Sequence, residues 1–258
     1  MSEGEPTEIR ATDVAQRFGA RTIFEHVSFT VAPGEVFVIL GGSGCGKSTL
    51  MKQLIGLLTP SAGDIVIRGR TITGREGEAG RQAVLREIGV MFQSGALFGS
   101  MTLLENVMLP MEMYTDLPLS AREAVARVKL GLVGLGDSAA LMPAEISGGM
   151  AKRAGIARAM ALDPPLLFLD EPSAGLDPIT SAGLDRLILD LRRDLGATFV
   201  VVTHELASIL AIADRCIMLD RAAQGLIAEG DPRRLRDESD NPTVRAFFRR
   251  EVLAPAAA

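Results

Sequence analysis

Short apolar runs and longer amphipathic segments alternate along this chain. Residues 7–40 contain short runs rich in β-branched and aromatic side chains, which predict strands. A turn followed by a strand is predicted over 61–72, a polar glycine-rich loop over 74–80, and another strand over 86–93. The first part of the chain is therefore expected to consist mostly of β-structure.

The apolar pattern changes in the second part of the chain. From about residue 95 to 165 apolar positions recur every three or four residues, which predicts a lobe of amphipathic helices. Strand-sized runs then return and alternate with helical segments, which predicts an α/β fold with a parallel sheet covered on both faces. The last segment predicts a short helix and a tail.

The composition excludes several classes of protein. A formal net charge of −5 argues against a nucleic-acid partner. Cys45 and Cys216 are the only cysteines and cannot build a disulfide framework or a zinc site, so a reducing compartment is expected. The polar, acidic N-terminus lacks the features of a secretory signal, and no run of about 18 apolar residues occurs. If the protein works at a membrane, we expect another subunit to hold it there.

The segment GGSGCGKS follows the apolar run VFVIL and matches the phosphate-loop pattern G-x-x-x-x-G-K-[ST]. Glycines allow backbone N–H groups to turn towards an anion, and the next helix adds its positive N-terminal dipole. Lys47 adds a cation for the β- and γ-phosphates, and Ser48 offers an oxygen to Mg²⁺. The alternative is a flexible glycine turn with an incidental lysine. The predicted ATP-binding residues of this segment are Gly41, Gly42, Ser43, Gly44, Cys45, Gly46, Lys47, Ser48 and Thr49.

Polar side chains also follow three other strand-like runs. LLFLDEP ends its apolar run with Asp170, expected to hold Mg²⁺ through water, and Glu171, expected to orient an attacking water. His204 follows FVVVT and Gln93 follows IGVMF, so in a parallel sheet both would face the same crevice. The alternatives are an N-cap and a solvated acid for the pair, a surface or capping histidine, and a glutamine that only ends its strand.

The segment EISGGMAKRAGIARAMAL lies between the phosphate loop and the acid pair. Ser147 is predicted to N-cap a helix whose first turn exposes glycine amides, which would make a second anion site. Because this helix belongs to the helical lobe, one chain cannot easily bring both anion sites to a single ATP. A second copy is therefore expected to contribute the residues Ser147, Gly148, Gly149 and Met150.

Taken together, these segments resemble the nucleotide-binding subunits of ABC transporters. GGSGCGKST corresponds to Walker A, FQ to the Q-loop, ISGGM to the signature, LLFLDEP to Walker B, SAGLD to the D-loop and TH to the switch histidine, in the family's order. The resemblance covers about residues 7–235, which implies one ATPase domain over that range, with the helical lobe inserted at about 95–165, and a C-terminal helix and tail over 236–258. It implies the P-loop NTPase fold of this family, a mostly parallel core sheet with an N-terminal antiparallel β subdomain and an α-helical lobe.

The resemblance also implies roles for individual residues. Two subunits would sandwich two ATP molecules, each bound by Walker A of one subunit and the signature of the other. Phe18, in place of the tyrosine often found there, would stack on adenine. Glu171 would act as general base, and His204 would sense the γ-phosphate. Gln93 would help to complete the magnesium shell and relay its state to a membrane partner, and Asp177 would bridge the dimer interface.

Met150 stands where the commonest form of the family has glutamine. With the phrase FQSGALFGSMTLLENVMLP, it resembles the ATPases of Mla/Mce-type lipid transporters of Gram-negative envelopes. This resemblance implies ATP-driven movement of phospholipid between the inner and outer membranes. The cofactors would be ATP and Mg²⁺. The partners would be a second copy of the chain, integral membrane permease subunits and a lipid-binding subunit, at the cytoplasmic face of the inner membrane.

Three alternatives remain open from the sequence. The first is the ATPase of an importer for another small substrate. The second is a soluble ABC protein of translation or DNA repair, although those usually carry paired cassettes or long coiled-coil insertions. The third is a scaffold that binds ATP without turnover, against which the intact Glu171 and His204 argue.

Overall fold

Two β-sheets organise the protein. The computed structural model describes residues 7–73 and 77–251, apart from the side chains of 77–80, and contains a four-stranded and a six-stranded sheet. The strands are β1 Ile9–Phe18, β2 Arg21–Val31, β3 Val36–Gly41, β4 Ala62–Ile67, β5 Arg70–Thr71, β6 Ile88–Met91, β7 Leu166–Asp170, β8 Thr198–Val202, β9 Arg215–Asp220 and β10 Gly225–Gly230. The smaller sheet has the order β2-β1-β4-β5, and the larger has β10-β9-β3-β8-β7-β6.

The two sheets differ in strand direction. All pairs of the smaller sheet are antiparallel. In the larger sheet β9, β3, β8, β7 and β6 run parallel, and β10 pairs antiparallel with β9. This confirms the predicted α/β architecture, with a mostly parallel core sheet and an N-terminal antiparallel subdomain. Because parallel strands end at the same edge, the residues that follow β3, β6, β7 and β8 lie along one border of the sheet.

The helices lie between and after these strands. They are α1 Lys47–Leu54, α2 Gly77–Leu85, α3 Leu103–Tyr114, α4 Leu119–Leu132, α5 Gly148–Ala159, α6 Pro178–Leu195, α7 Leu206–Ile212, α8 Pro232–Glu238 and α9 Pro242–Arg249. Helices α3, α4 and α5 follow β6 and precede β7, and they pack on one another as a helical lobe. Among the described residues, no helix is both long and apolar enough to span a bilayer.

Local sequence signals explain where several helices begin. Thr102 and Glu105 form a capping box at α3, in which each side chain accepts a hydrogen bond from the other residue's backbone N–H. Asp177 caps α6, which begins with a proline and ends before Gly196 at φ 66°. These ends coincide with changes in the apolar pattern, so they could be located in the sequence.

The structure corrects the sequence prediction in two places. The predicted loop over 74–80 is wrong for 77–80, which form the first turn of α2; residues 74–76 lie outside the described part of the chain. Val84 of α2 is buried in the core beside the first sheet, so packing outweighs the low helix propensity of two glycines. Strand β10 was not predicted either, because it is a short edge strand flanked by glycines.

The C-terminal part contains both α8 and α9. Helix α9 forms where a short helix is predicted, and residues 252–258, where the tail is predicted, lie outside the described residues. Helix α8 crosses the predicted boundary at residue 235. The division of the chain at that residue therefore stays a prediction.

Strand β3 separates two apolar cores. Its alternate side chains Val36, Val38 and Leu40 pack in a core that includes the helical lobe. Phe37 and Ile39 point to the other side, into a core formed with the antiparallel sheet and α1. All five are fully buried, as expected for a central strand covered on both faces. The strand therefore gives rigid support to the loop that follows it.

Candidate nucleotide site

The loop between β3 and α1 packs tightly against β9 and β2. Gly41 has a φ of 146° and Gly46 a φ of 108°, values that L side chains rarely adopt. A Cβ on Gly41 would lie 2.2 Å from the carbonyl oxygen of Leu219, and one on Gly46 would lie 2.7 Å from Cδ1 of Phe24. A side chain at either position would displace the loop. Glycine at both positions keeps the loop at the N-terminus of α1, where the helix dipole favours an anion.

Lys47 is the first residue of α1, and its side chain folds back over this loop. Its Nζ donates hydrogen bonds to the carbonyl oxygens of Gly41, at 2.8 Å, and Gly42, at 3.1 Å. Both acceptors are neutral, and a charged phosphate oxygen is a stronger acceptor for an ammonium group. The side chain is therefore placed to exchange these contacts for contacts with phosphate.

A cavity of about 320 Å³ adjoins the loop. Phe18, the last residue of β1, lines this cavity and exposes half of its surface. Arg21 and Ile23 of β2 line it as well, and no motif in the sequence pointed to either. The remaining lining residues are Gly44, Gly46, Lys47, Ser48 and Thr49. An exposed aromatic ring beside an anion-binding loop suits an adenine nucleotide.

Cys45 belongs to the loop, but its side chain faces the protein. It is 1% exposed, and burial is the main cause that raises the pKa of its thiol. It packs in the same core as α1. Only the backbone of Cys45 is therefore available to a ligand, which refines its predicted place among the ATP-binding residues.

Asp170 and Glu171 lie at the end of β7. Glu171 has a φ of 48°, a left-handed conformation that is costly for a residue with a side chain. Its N–H donates a hydrogen bond of 2.8 Å to the carbonyl oxygen of Val202, the last residue of β8. Burial, followed by the charge of Glu171, raises the pKa of Asp170, although nearby lysines oppose the shift.

One oxygen of each carboxylate is buried without a hydrogen-bond partner. These atoms are Oδ1 of Asp170 and Oε2 of Glu171. Buried acceptors are normally paired, so both oxygens are placed for a group that the chain does not supply, such as a cation or a water. Among the described residues, no group of three or more histidine, cysteine or acidic side chains is arranged so that it could hold a metal ion by itself. A cation here would also need oxygens from Ser48, Gln93 or a phosphate, which matches how Mg²⁺ is usually held.

The second oxygen of Glu171 contacts His204. Oε1 of Glu171 and Nδ1 of His204 are 2.8 Å apart. The side chain of Glu171 is 11% exposed, whereas that of His204 is 60% exposed. His204 follows β8, the neighbour of β7, so the parallel pairing of these strands brings the two side chains together as the sequence predicted.

Gln93 lies two residues beyond β6, on the other side of β7. Its side chain is exposed, and its carbonyl oxygen accepts a hydrogen bond from Nζ of Lys152, a residue of α5. No described contact joins the amide of Gln93 to Asp170 or Glu171. The strand order places Gln93 at the predicted edge, and the role of its amide stays a prediction.

The signature residues lie at the start of α5. The Oγ of Ser147 accepts a hydrogen bond of 3.3 Å from the N–H of Met150, which confirms the predicted N-cap. A Cβ on Gly149 would lie 2.6 Å from Cγ2 of Thr180 in α6, so a side chain at this position would have to displace Thr180. Ser147 and Gly148 are exposed, and the described lining of the cavity near Lys47 includes none of the four signature residues.

Asp177 has a structural task within its own chain. Its Oδ1 accepts hydrogen bonds of 3.0 Å from the N–H groups of Ile179 and Thr180, and Oδ2 accepts one of 2.5 Å from the Thr180 hydroxyl. These bonds lower the pKa of Asp177. The neighbouring Ile179 is 86% exposed. Asp177 thus caps α6, and its contact with a second subunit stays a prediction.

Comparison with known proteins places this geometry in a family. A family model described as "ABC transporter" matches residues 24–174. The chain is 42% identical, over 98% of its length and 70% of the relative, to "Probable ribonucleotide transport ATP-binding protein mkl" of Mycobacterium tuberculosis (strain ATCC 25618 / H37Rv). It is 41% identical, over 92% of its length and 86% of the relative, to "Intermembrane phospholipid transport system ATP-binding protein MlaF" of Escherichia coli (strain K12).

Solved structures give the same result. CbiO1 from Clostridium perfringens, described as part of the ABC transporter complex cbiONQ, matches with a TM-score of 0.82 and 26% identity over 92% of this chain and 93% of that one. The dimeric post-hydrolysis state of the ATP-binding cassette MJ0796, bound to ADP and Pi, matches with a TM-score of 0.77 and 28% identity over 86% and 98%. The chain therefore belongs to the ABC transporter family as an ATP-binding, ATP-hydrolysing subunit.

Proposed function

We propose that two copies of this chain bind two ATP molecules between them and hydrolyse ATP to drive phospholipid transport. One observation carries the proposal. The anion-binding loop, the Asp170–Glu171 pair and His204 lie at one edge of the sheet, whereas the exposed signature at Ser147 belongs to the helical lobe. The chain thus has both halves of a site, and in a dimer the nucleotide loop of one copy would meet the signature of the other.

The first half of the site holds the nucleotide. Phe18 stacks on the adenine ring, and the backbone of the loop from Gly41 to Gly46 encloses the phosphates. Lys47 moves from its two carbonyl acceptors to the β- and γ-phosphates. Thr49 adds a second hydroxyl at the start of α1. These contacts fix the γ-phosphate next to the end of β7.

Glu171 and His204 act on the attacking water. The unpaired Oε2 of Glu171 accepts a hydrogen bond from this water and orients it, while the contact of Oε1 with His204 holds the carboxylate in place. Ser48, Gln93 and Asp170 would hold Mg²⁺, which would neutralise charge on the β- and γ-phosphates. The unpaired Oδ1 of Asp170 fits this task.

The partner's signature closes the site. Ser147, Gly148, Gly149 and Met150 present a helix N-terminus that covers the γ-phosphate bound by the other copy. The dimeric MJ0796 cassette supports this arrangement, since it resembles the chain over most of its length. Asp177, with the exposed Ile179 beside it, lies next to the signature and contacts the second copy.

A mixing experiment tests the shared site. Lys47→Ala and Ser147→Arg should each lower ATP turnover about a hundredfold or more, because each removes phosphate contacts from both sites of a homodimer. A mixed dimer has one site with both defects and one with neither. An equimolar mixture should therefore recover roughly a quarter of the wild-type rate, since half of randomly formed dimers are mixed.

The control replaces another exposed serine. Ser100→Arg lies before α3 and should leave turnover within about twofold of wild type, as surface substitutions usually do. If the nucleotide site were complete within one chain, the mixture of Lys47→Ala and Ser147→Arg would be as inactive as its components. That result would contradict the proposed dimer.

The transported substrate and the membrane partner are proposed from the relatives and from one surface. The name of MlaF specifies intermembrane phospholipid transport, and that protein is 41% identical to this chain. The helical lobe exposes Met113, Tyr114, Leu117 and Leu119 around the end of α3 and the start of α4. We assign this apolar surface to integral permease subunits, which hold the chain at the cytoplasmic face of the inner membrane. A lipid-binding subunit completes the transporter.

A second substrate class follows from the other relative, whose name specifies ribonucleotide transport.

The tagged chain, purified from its own membranes in mild detergent, should bring down integral membrane subunits with bound phospholipid. Vesicles of phosphatidylethanolamine and phosphatidylglycerol should stimulate the ATPase of that complex, whereas ribonucleoside monophosphates should not. The reverse pattern would favour the ribonucleotide name, and recovery of ribosomes would overturn the transporter assignment.

A further inference from the structure

Lys152 is a buried lysine in the middle of α5 whose partners are backbone atoms. It is 7% exposed, and its Nζ donates hydrogen bonds to the carbonyl oxygens of Gln93 and of Glu171, the latter at 3.0 Å. Burial lowers the pKa of this ammonium group, and the charges of Glu171 and Asp170 oppose that shift. A buried charge destabilises the fold unless hydrogen bonds offset its desolvation, and the two carbonyl oxygens supply such bonds here.

The contact reaches the backbone of Glu171, the proposed base for hydrolysis. The left-handed conformation of Glu171 needs support from its surroundings, because it is costly for a residue with a side chain. Its N–H is fixed by the carbonyl oxygen of Val202, and its own carbonyl oxygen accepts hydrogen bonds from Lys152 and from the N–H of Ala174, at 3.2 Å. Lys152 thus contributes a hydrogen bond from the helical lobe to the backbone of Glu171.

Helix α5 makes a second set of hydrogen bonds to the segment that follows β6. Arg158 donates hydrogen bonds to the carbonyl oxygens of Gly95, at 2.9 Å, and Ala96, at 2.6 Å. Between the two cationic residues, a Cβ on Gly155 would lie only 3.2 Å from the Cα and carbonyl oxygen of Gly95. Residues 93–96 therefore contact α5 along almost two turns of that helix.

We propose that Lys152 is a positioning residue that holds Glu171 of its own chain in the conformation needed for hydrolysis. Through the same contact it links Glu171 to α5, whose N-terminus is capped by Ser147. The proposal deepens the function proposed above and rests on it.

Kinetics of Lys152→Met test the positioning role. Loss of the ammonium group should lower kcat for ATP about tenfold or more and leave KM within about twofold, because a small displacement of the base affects the reaction but not the nucleotide contacts. The matched control is Lys129→Met, a lysine of α4 that is also buried and pairs with Asp163 within the helical lobe. It should lower Tm but keep kcat.

One-site dimers separate positioning from general folding effects. Tagged Lys47→Ala and Ser147→Arg subunits are combined and purified as mixed dimers, whose intact site uses Glu171 of the Ser147→Arg subunit. Lys152→Met in that subunit should cause the tenfold loss in single-turnover hydrolysis. The same change in the Lys47→Ala subunit, which contributes only the signature, should lower the rate of single-turnover hydrolysis about twofold at most.

The proposal is tested by comparing Lys152→Met in the Ser147→Arg subunit with Lys152→Met in the Lys47→Ala subunit. A loss of equal size in both, or a larger loss in the signature subunit, would overturn it. If Lys152→Met fails to fold, Lys152→Gln keeps a hydrogen-bond donor without charge and should show the same asymmetry with a smaller loss. If unmodified mixed dimers show no hydrolysis at all, the shared site itself is wrong, which is a separate outcome.

Discussion

Glu171→Gln should lower ATP turnover by about a hundredfold to ten-thousandfold, the range for loss of a general base. Glutamine has the shape of glutamate but cannot accept a proton from the attacking water at the position of Oε2. ATP binding should persist, since Glu171 does not line the cavity beside Lys47. Dimers that contain ATP should therefore accumulate, whereas ADP should leave the variant monomeric. Phosphate release and size-exclusion chromatography with either nucleotide measure both effects.

The control for this variant is Glu238→Gln. Glu238 is an exposed carboxylate of α8 that pairs with Arg234, and its replacement should leave turnover and dimer formation unchanged. Unchanged hydrolysis in Glu171→Gln would show that another group orients the water. Loss of hydrolysis without any ATP-dependent dimer would instead indicate damage to the fold around His204.

Asp170→Asn should have two opposite effects. It should lower Mg²⁺-dependent hydrolysis about tenfold to a hundredfold, because it removes the charge of a proposed magnesium ligand. In the nucleotide-free protein it should raise Tm measurably at pH 7.5. The gain is expected because burial and the charge of Glu171 raise the pKa of Asp170 above its ordinary value of 3.8, so its ionised form destabilises the folded state.

The pH dependence gives the sign of this effect. A raised folded-state pKa means that the folded protein holds this proton more tightly than the unfolded chain. The stability gain of Asp170→Asn is then full above the folded-state pKa and disappears as the pH falls towards 3.8, where wild-type Asp170 is also neutral. Thermal unfolding from pH 7.5 to pH 4 measures it, and added MgATP should reverse the order of the two Tm values.

A second aspartate provides the control. Asp194 is exposed, and its hydrogen bond with Arg193 lowers its pKa, so Asp194→Asn should give no gain in Tm at any pH. A gain of equal size in both variants would mean that the overall negative charge, and not the environment of Asp170, determines the result. No gain in Asp170→Asn would contradict the destabilising role of this carboxylate.

The chemistry of the site could be predicted because it depends on short segments. GGSGCGKS contains its own strand end, glycine loop and helix start, so the anion-binding loop forms from consecutive residues. Asp170 ends an apolar strand, Glu171 and His204 come just after one, and the parallel order of the sheet explains why they meet. Met150 and the phrase near Gln93 indicated the lipid-transporter relatives, and MlaF is among the relatives found.

Other residues of the site could not be predicted because their partners are distant in the sequence. Arg21 and Ile23 line the cavity only because β2 passes beside the loop at Gly46. Lys152 looks like an ordinary cation in a helix of small residues, and its partners lie 59 and 19 positions away. Helix α2 was missed because two glycines obscure its apolar face.

The sequence alone determined the fold class, the nucleotide loop and the polar residues at the strand ends, because each depends on local periodicity or on a few adjacent residues. Tertiary structure decided which carboxylate oxygens stay unpaired, that Cys45 faces the core, and that Lys152 joins α5 to the backbone of Glu171. These features depend on burial and on contacts between elements, and no local pattern in the chain encodes them.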